Sequence, residues 1–219
     1  FANDIRTDGS NYYLEGGILD GAGMADGVSI DGGRETAVRN VSIKHTRIGL
    51  HVKRGANGGS SDADIQNVHI VGNRQSDSVG LLVEGWDNTF TNMRISDVFV
   101  GVWLRSSGNM LRNIHPLYTL DYTDYAHSCG FISEAGRPDN WFDFCYNDQF
   151  ATGFLLKDHV ILQNCFSFWY SPREGGQGGG RVPVDYFQHG GRLLWPRIQK
   201  RCAGCGRGRQ RYSPEPDHQ

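Results

Sequence analysis

Long apolar runs are missing from this chain, and so is any segment with helical periodicity. No stretch approaches the eighteen or so apolar residues that cross a bilayer as a helix, so a membrane is not an expected partner. A surplus of charge of one sign is missing too. With 22 Lys and Arg against 24 Asp and Glu, the formal net charge of −2 offers no basic field for nucleic acid and no acidic signature of disorder. Cysteine is scarce, at 5 in 219 residues, which excludes a dense disulfide framework. Cys129, Cys145 and Cys165 fall in or beside apolar segments, where a small thiol packs. Cys202 and Cys205 form a lone C-A-G-C without the second pair or nearby histidines of a structural zinc site. No metal and no cofactor is expected.

What the chain does have is 30 glycines and a phrase in two halves. One half is Asn-apolar-x-apolar, at Asn40 (N-V-S-I), Asn67 (N-V-H-I), Asn92 (N-M-R-I) and Asn113 (N-I-H-P), then in weaker form at Asp143 (D-F-C-Y) and Asn164 (N-C-F-S). The other is Gly-apolar-x-apolar, at Gly27, Gly49, Gly80, Gly101, Gly130 and Gly153. Each half alternates with period two between turn-forming residues, so each predicts a strand of about four or five residues. Repetition at roughly 20 to 30 residues, with only strands inside it, predicts a solenoid whose coils bury their apolar faces on one another. The expected fold is all-β: a right-handed parallel β-helix, a single-stranded solenoid with three short sheets, truncated by the ends of the chain.

In this pattern the second and fourth places of each Gly strand face the core and the third and fifth face outward. The expected inner column is Val28/Ile30, Leu50/Val52, Leu81/Val83, Val102/Leu104, Phe131/Ser133 and Phe154/Leu156. The outer fifth place reads Asp31, Lys53, Glu84, Arg105, Glu134, Lys157, with its sign alternating coil by coil. Such a ladder serves either as a register lock or as the polar floor of a binding groove. The Asn at the head of each other strand is expected at a turn, with its amide bonded to the equivalent amide one coil away. His51, His69 and His115 fall at outward third places and lack metal spacing.

The repeat defines a β-helix domain over residues 1–172, followed by an irregular tail over 173–219 rich in Gly, Arg and Gln. Read one nucleotide later from about residue 181, permitted codons for the tail spell G-L-E-F and N-V-I-V, the two halves of a further repeat. A frameshift near 173–181 is therefore expected in the tail. At the other end, the chain opens at Phe1 and is inside a repeat by Tyr12 to Gly17, which predicts a missing N-terminal portion.

Three phrases, L-E-G-G-I-L-D-G-A-G (14–23), V-R-N-V-S-I-K-H-T-R-I-G-L-H-V (38–52) and N-T-F-T-N-M-R-I-S-D-V-F-V-G-V-W-L (88–104), resemble the pectate-lyase-like superfamily of right-handed β-helices. The similarity is greatest to its rhamnogalacturonase/epimerase-like branch and covers about residues 8–170. The resemblance implies a secreted or extracellular protein acting on polysaccharide by hydrolysis or β-elimination. The polygalacturonase pattern N-T-D, D-D, G-H-G, R-I-K is not met, since Asp121-Tyr-Thr-Asp124 replaces the adjacent pair and His189-Gly-Gly and Arg197-Ile-Gln-Lys lie in the tail. The local motifs of calcium-dependent pectate lyases are absent as well.

A site is suggested by length. The connection from Asn113 to Gly130 spans 17 residues and contains P-L-Y-T-L-D-Y-T-D-Y-A-H, and extra length on one solenoid face marks a working face. Tyrosine rings stack on sugar faces and carboxylates move protons. Asp121 and Asp124 are the expected acid/base pair, with Trp103, Arg105, Tyr118, Tyr122, Tyr125, His127 and Asp148 as sugar contacts. Two functional classes stay open: a polysaccharide hydrolase or lyase, and a non-catalytic glycan-binding or structural β-helix of the spike or adhesin type.

Overall fold

The computed structural model describes residues 5–7, 12–55, 59–120, 127–169 and 180–187. The molecule is an all-β parallel β-helix of about six coils. One wall is a seven-stranded parallel sheet in the order β1 (Ile5–Thr7), β4 (Val28–Asp31), β7 (Ile48–Lys53), β10 (Val79–Val83), β12 (Val100–Leu104), β14 (Cys129–Ser133) and β17 (Thr152–Leu156). From β4 onward these are the Gly strands, and each strand pairs with its equivalent one coil away.

The other two walls belong to one twelve-stranded sheet rather than to two separate sheets, which corrects the expected count of three. In the early coils two short strands flank a corner: β2 (Tyr13–Glu15) and β3 (Ile18–Asp20), β5 (Ala37–Arg39) and β6 (Ser42–Thr46), β8 (Asp64–Gln66) and β9 (His69–Gly72). In later coils a single strand runs through the corner, as in β11 (Thr89–Ser96), β13 (Met110–Leu117) and β18 (Val160–Trp169), while β15 (Asn140–Asp143) and β16 (Tyr146–Asp148) are again split. β19 (Gly180–Phe187) pairs with β18 antiparallel, in contrast to the parallel coils before it.

The corner is where the asparagines sit. Asn40, Asn67, Asn92, Asn113 and Asn164 all have φ between 54° and 57°, a left-handed conformation that Asn tolerates better than most side chains. The amide of Asn67 donates to Asn40 Oδ1 at 3.1 Å, Asn92 to Asn67 at 3.2 Å and Asn113 to Asn92 at 2.8 Å. In the next coil the left-handed residue is Phe144, φ 51°, and not Asp143. The weak repeat assigned to D-F-C-Y is thus F-C-Y-N, with Cys145 and Asn147 inward and both fully buried. The shift arises because Arg112, not Asn113, stands in register with Asp143.

The inner column follows the alternation. Ile30, Leu50, Val52, Leu81, Val83, Val102, Leu104, Phe131 and Ser133 are fully buried, while Phe154 and Leu156 in the last Gly strand are partly covered. The Gly that opens each strand is required by close approach: a Cβ on Gly80 would overlap Ile95 Cγ2 and come within 2.7 Å of the Gly101 carbonyl oxygen. Gly80→Ala is therefore expected to lower stability by about 1–3 kcal/mol through overpacking, and Leu104→Asp to cost more by burying a lone charge. Both are read by thermal or denaturant unfolding; wild-type stability in either variant contradicts the register.

Candidate functional site

The described residues among those singled out from sequence do not lie together at one place. Asp121, Tyr122, Asp124 and Tyr125 lie outside the described residues. Tyr118, at the start of that connection, is 2% exposed, its ring packed edge-on against Phe99 and Phe150 at centroid distances of 6.3 and 5.4 Å. Its ring is packed into the fold instead of offering a face to solvent. His127, at the far end, is exposed. Asp148 lies on the wall that carries β13 and β16, whereas Trp103 and Arg105 lie on the outer face of the seven-stranded sheet.

Trp103 and Arg105 belong to a cluster built by coil stacking. The outer fifth place puts Glu84, Arg105 and Glu134 on three successive coils, just past the ends of β10, β12 and β14. Arg105 Nη1 donates to Glu84 Oε1 at 2.9 Å, and its Nε lies 3.4 Å from Glu134 Oε1. Trp103 Nε1 donates to the same Glu134 oxygen at 2.9 Å, and the Arg105 guanidinium stands 5.6 Å from the Trp103 ring centroid. On the other side His51 Nε2 is 3.0 Å from Glu84 Oε2. His51 is thus half-buried and paired, where the outward third place predicts a solvent-facing ring. Three rungs of the alternating ladder thus form part of a chain of hydrogen bonds and an ion pair, His51–Glu84–Arg105–Glu134–Trp103.

Beside this chain is an open recess of about 330 Å³, lined by Glu84, Arg105 and Glu134 and by Arg54, Trp86, Ser106, Ser107 and Arg137 from the turns that follow the strands. Trp86 is 38% exposed. The turns are held by a second asparagine column that the repeat pattern did not reveal. Asn88, Asn109 and Asn140 are fully buried; Asn109 Oδ1 accepts the Asn88 backbone N–H at 3.2 Å, and Asn140 Oδ1 accepts that of Asn109 at 3.0 Å. Ser106 Oγ donates to the carbonyls of Val83 and Gly85. The sequence trace of this column is D-N-T-F, G-N-M-L and D-N-W-F at 87–90, 108–111 and 139–142. Arg54 and Arg137 had no trace beyond their place one and three residues after the charged fifth position.

Chemically the recess offers two carboxylates, three guanidinium groups and an indole face. Guanidinium forks bind carboxylate or hydroxyl pairs, carboxylates accept hydroxyl hydrogen bonds or shuttle protons, and an exposed indole covers the apolar face of a ring. The floor of the same sheet toward its other edge is apolar: Ile48, Val79 and Leu82 are buried and pack with Val100 and Trp103.

On the other wall, Asp148 Oδ2 is 2.8 Å from His115 Nε2, and the Tyr146 ring stacks on the imidazole at 3.8 Å. His115 is again half-buried where an exposed ring is expected, and His69 is the exposed one. Among the described residues no group of three or more His, Cys, Asp or Glu converges as a metal site. Cys129, Cys145 and Cys165 are buried free thiols, and burial pushes the Cys129 thiol up to about 11. Cys202 and Cys205 lie outside the described residues. No family model matches the chain, and no curated protein matches it at a significant level.

Burial holds the His115 imidazole below the ordinary histidine pKa; Asp148 pulls it up and Arg94 lowers it further. A histidine depressed in the folded state binds fewer protons there than in the unfolded chain, so its contribution is intact above about pH 6.5 and lost as pH falls. His115→Gln is expected to flatten the fall in melting temperature between about pH 7.5 and 5.5. An unchanged slope contradicts this placement of the ring.

Proposed function

We propose that this protein is a polysaccharide-degrading enzyme of the pectate-lyase-like β-helix class, acting outside the cell and holding its glycan on the outer face of the seven-stranded sheet. The observation that carries the reading is the recess in which Arg105 stands between Glu84 and Glu134, with Arg54, Arg137 and the exposed Trp86 around it. A sugar ring over Trp86 presents its hydroxyls to Glu84 and Glu134, and any ring carboxylate to the arginines. Two carboxylates flanking a bound glycosidic oxygen are the equipment of acid/base cleavage, one protonating the leaving oxygen and the other activating water. Elimination at a uronate instead needs a base for the proton next to the carboxylate, with an arginine neutralising that carboxylate; Arg105 is the central candidate for the second role. Asp121 and Asp124 remain acid/base candidates from the long connection.

The second reading, glycan binding without cleavage, is favoured by one observation: both carboxylates are already engaged by Arg105. The two separate in a screen of plant and bacterial polysaccharides that follows reducing ends together with absorbance of unsaturated uronates. Reducing ends alone mean hydrolysis, both signals mean elimination, and binding with neither means a lectin-like role. Glu134→Gln and Glu84→Gln are each expected to lower kcat by about 10²–10⁴-fold if they carry protons, while Trp86→Ala raises KM. Full activity in both glutamate variants moves catalysis away from the recess, and Asp121→Asn and Asp124→Asn then test the long connection.

A further inference from the structure

Just past the left-handed residue of each corner, one inward side chain per coil forms a buried column. Register stacks Val41, Val68, Met93, Ile114, Cys145 and Cys165 there. The first four coils fill the column with aliphatic side chains or methionine, and the next two fill it with thiols.

Cys145 and Cys165 are direct neighbours. Backbone bonds bracket them, from Phe144 N to Gln163 O and from Phe166 N to Cys145 O, both at 3.0 Å. Residues paired in this way on parallel strands have Cα atoms about 4.8 Å apart, inside the roughly 4.4–6.8 Å span that disulfides bridge. Both side chains point into the core at 0% exposure, and the two thiols hydrogen-bond to each other. Packing alone does not call for two thiols in contact, since larger apolar side chains tile the same column in the coils before. Cys129 is the contrast: it sits on the seven-stranded sheet with Val100 and Thr152 as its register neighbours. The pair also falls where the solenoid buries least. In β17, which precedes β18 in the same coil, Phe154 and Leu156 are only partly covered and Leu155 is 40% exposed.

We propose that Cys145 and Cys165 close into a disulfide that ties the coil of β15 and β16 to the coil of β18. The oxidant is a small-molecule disulfide such as oxidised glutathione. The Cys165 thiolate attacks one glutathione sulfur and expels a glutathione thiolate; the Cys145 thiolate then attacks the mixed disulfide at the Cys165 sulfur and expels the second. Two protein thiols are oxidised, one glutathione disulfide is reduced, and the two protons released end on the two glutathione thiolates. The hydrogen bond from Cys145 holds the Cys165 thiol below its ordinary range, whereas burial holds the Cys145 thiol above it, so Cys165 is the first to attack. Neither sulfur reaches solvent in the folded chain, and exchange therefore takes place while the coil is forming. An oxidising compartment supplies the exchange partner, and neither the bond nor its test depends on what the recess holds.

The test maps the cross-link in the full chain. The reduced protein is unfolded in guanidinium chloride, returned to native buffer with reduced and oxidised glutathione, alkylated with iodoacetamide and digested with trypsin without reductant. Lys157 lies between the two cysteines, so trypsin separates their peptides. Mass spectrometry is expected to find one peptide pair joined through Cys145 and Cys165, lighter by two hydrogens than the sum of its parts, with Cys129 recovered as the alkylated thiol. Reduction with a phosphine is then expected to lower the melting temperature by about 5–10 °C, a shift that Cys145→Val/Cys165→Val does not show. The valine pair keeps the apolar packing, so a packing role alone predicts the same response to reductant in both proteins. Recovery of Cys145 and Cys165 as alkylated thiols, their cross-linking to Cys129, Cys202 or Cys205 instead, or an equal response to reductant in wild type and variant overturns the bond. Where the variant does not fold, the peptide map decides alone.

Discussion

Every feature of this molecule depends on the parallel register between coils. Backbone hydrogen bonds fix each residue beside its equivalent one coil away, so the sequence is read in columns and not along strands. Inside, a column must tile: Leu50, Leu81, Val102 and Phe131 succeed one another in register with nothing exposed. Outside, a column sets charges and rings within contact of each other whether they attract or repel. The hydrogen-bond ladders of the corner and of the buried Asn88–Asn109–Asn140 column add a second lock on the same spacing.

Columns also explain what was legible in the sequence. Alternation with period two identified the buried positions from Val28 to Leu104, because a one-residue slip would turn the whole set outward. The corner asparagines were readable because Asn is favoured in a left-handed turn. The same logic misplaced one repeat: Phe144 occupies the corner where Asn or Asp was expected, and a bulky residue carries no turn signal. The fusion of two walls into one sheet was not legible, since Thr89–Ser96 bends at Asn92 without leaving the ladder.

The site was half legible. The alternating charges from Asp31 to Lys157 were visible, and Trp103 and Arg105 among the named contacts do lie together. Their partners Glu84 and Glu134 were open between register lock and groove floor, because sequence alone does not show that Trp86, Arg54 and Arg137 line the same spot. The place of Tyr118 in the long connection suggests an exposed ring, yet the ring is packed against Phe99 and Phe150. Tyrosine content in a long connection does not say which side of the wall each ring takes. His51 and His115, at outward places in the pattern, each meet a carboxylate one coil away, a contact invisible without the register.

The recess is an outcome of the same constraint. Where the column alternates in sign, the coils bring opposite charges together and leave a hydrogen-bonded shelf flanked by indoles. The most direct measurement is hydroxyl-radical footprinting of the whole chain with and without the polysaccharide selected by the screen. The expected result is protection at Trp86 and Trp103, with the other described side chains of the seven-stranded sheet's far coils unchanged. Full reactivity of both tryptophans at saturating glycan would contradict a glycan site on this face.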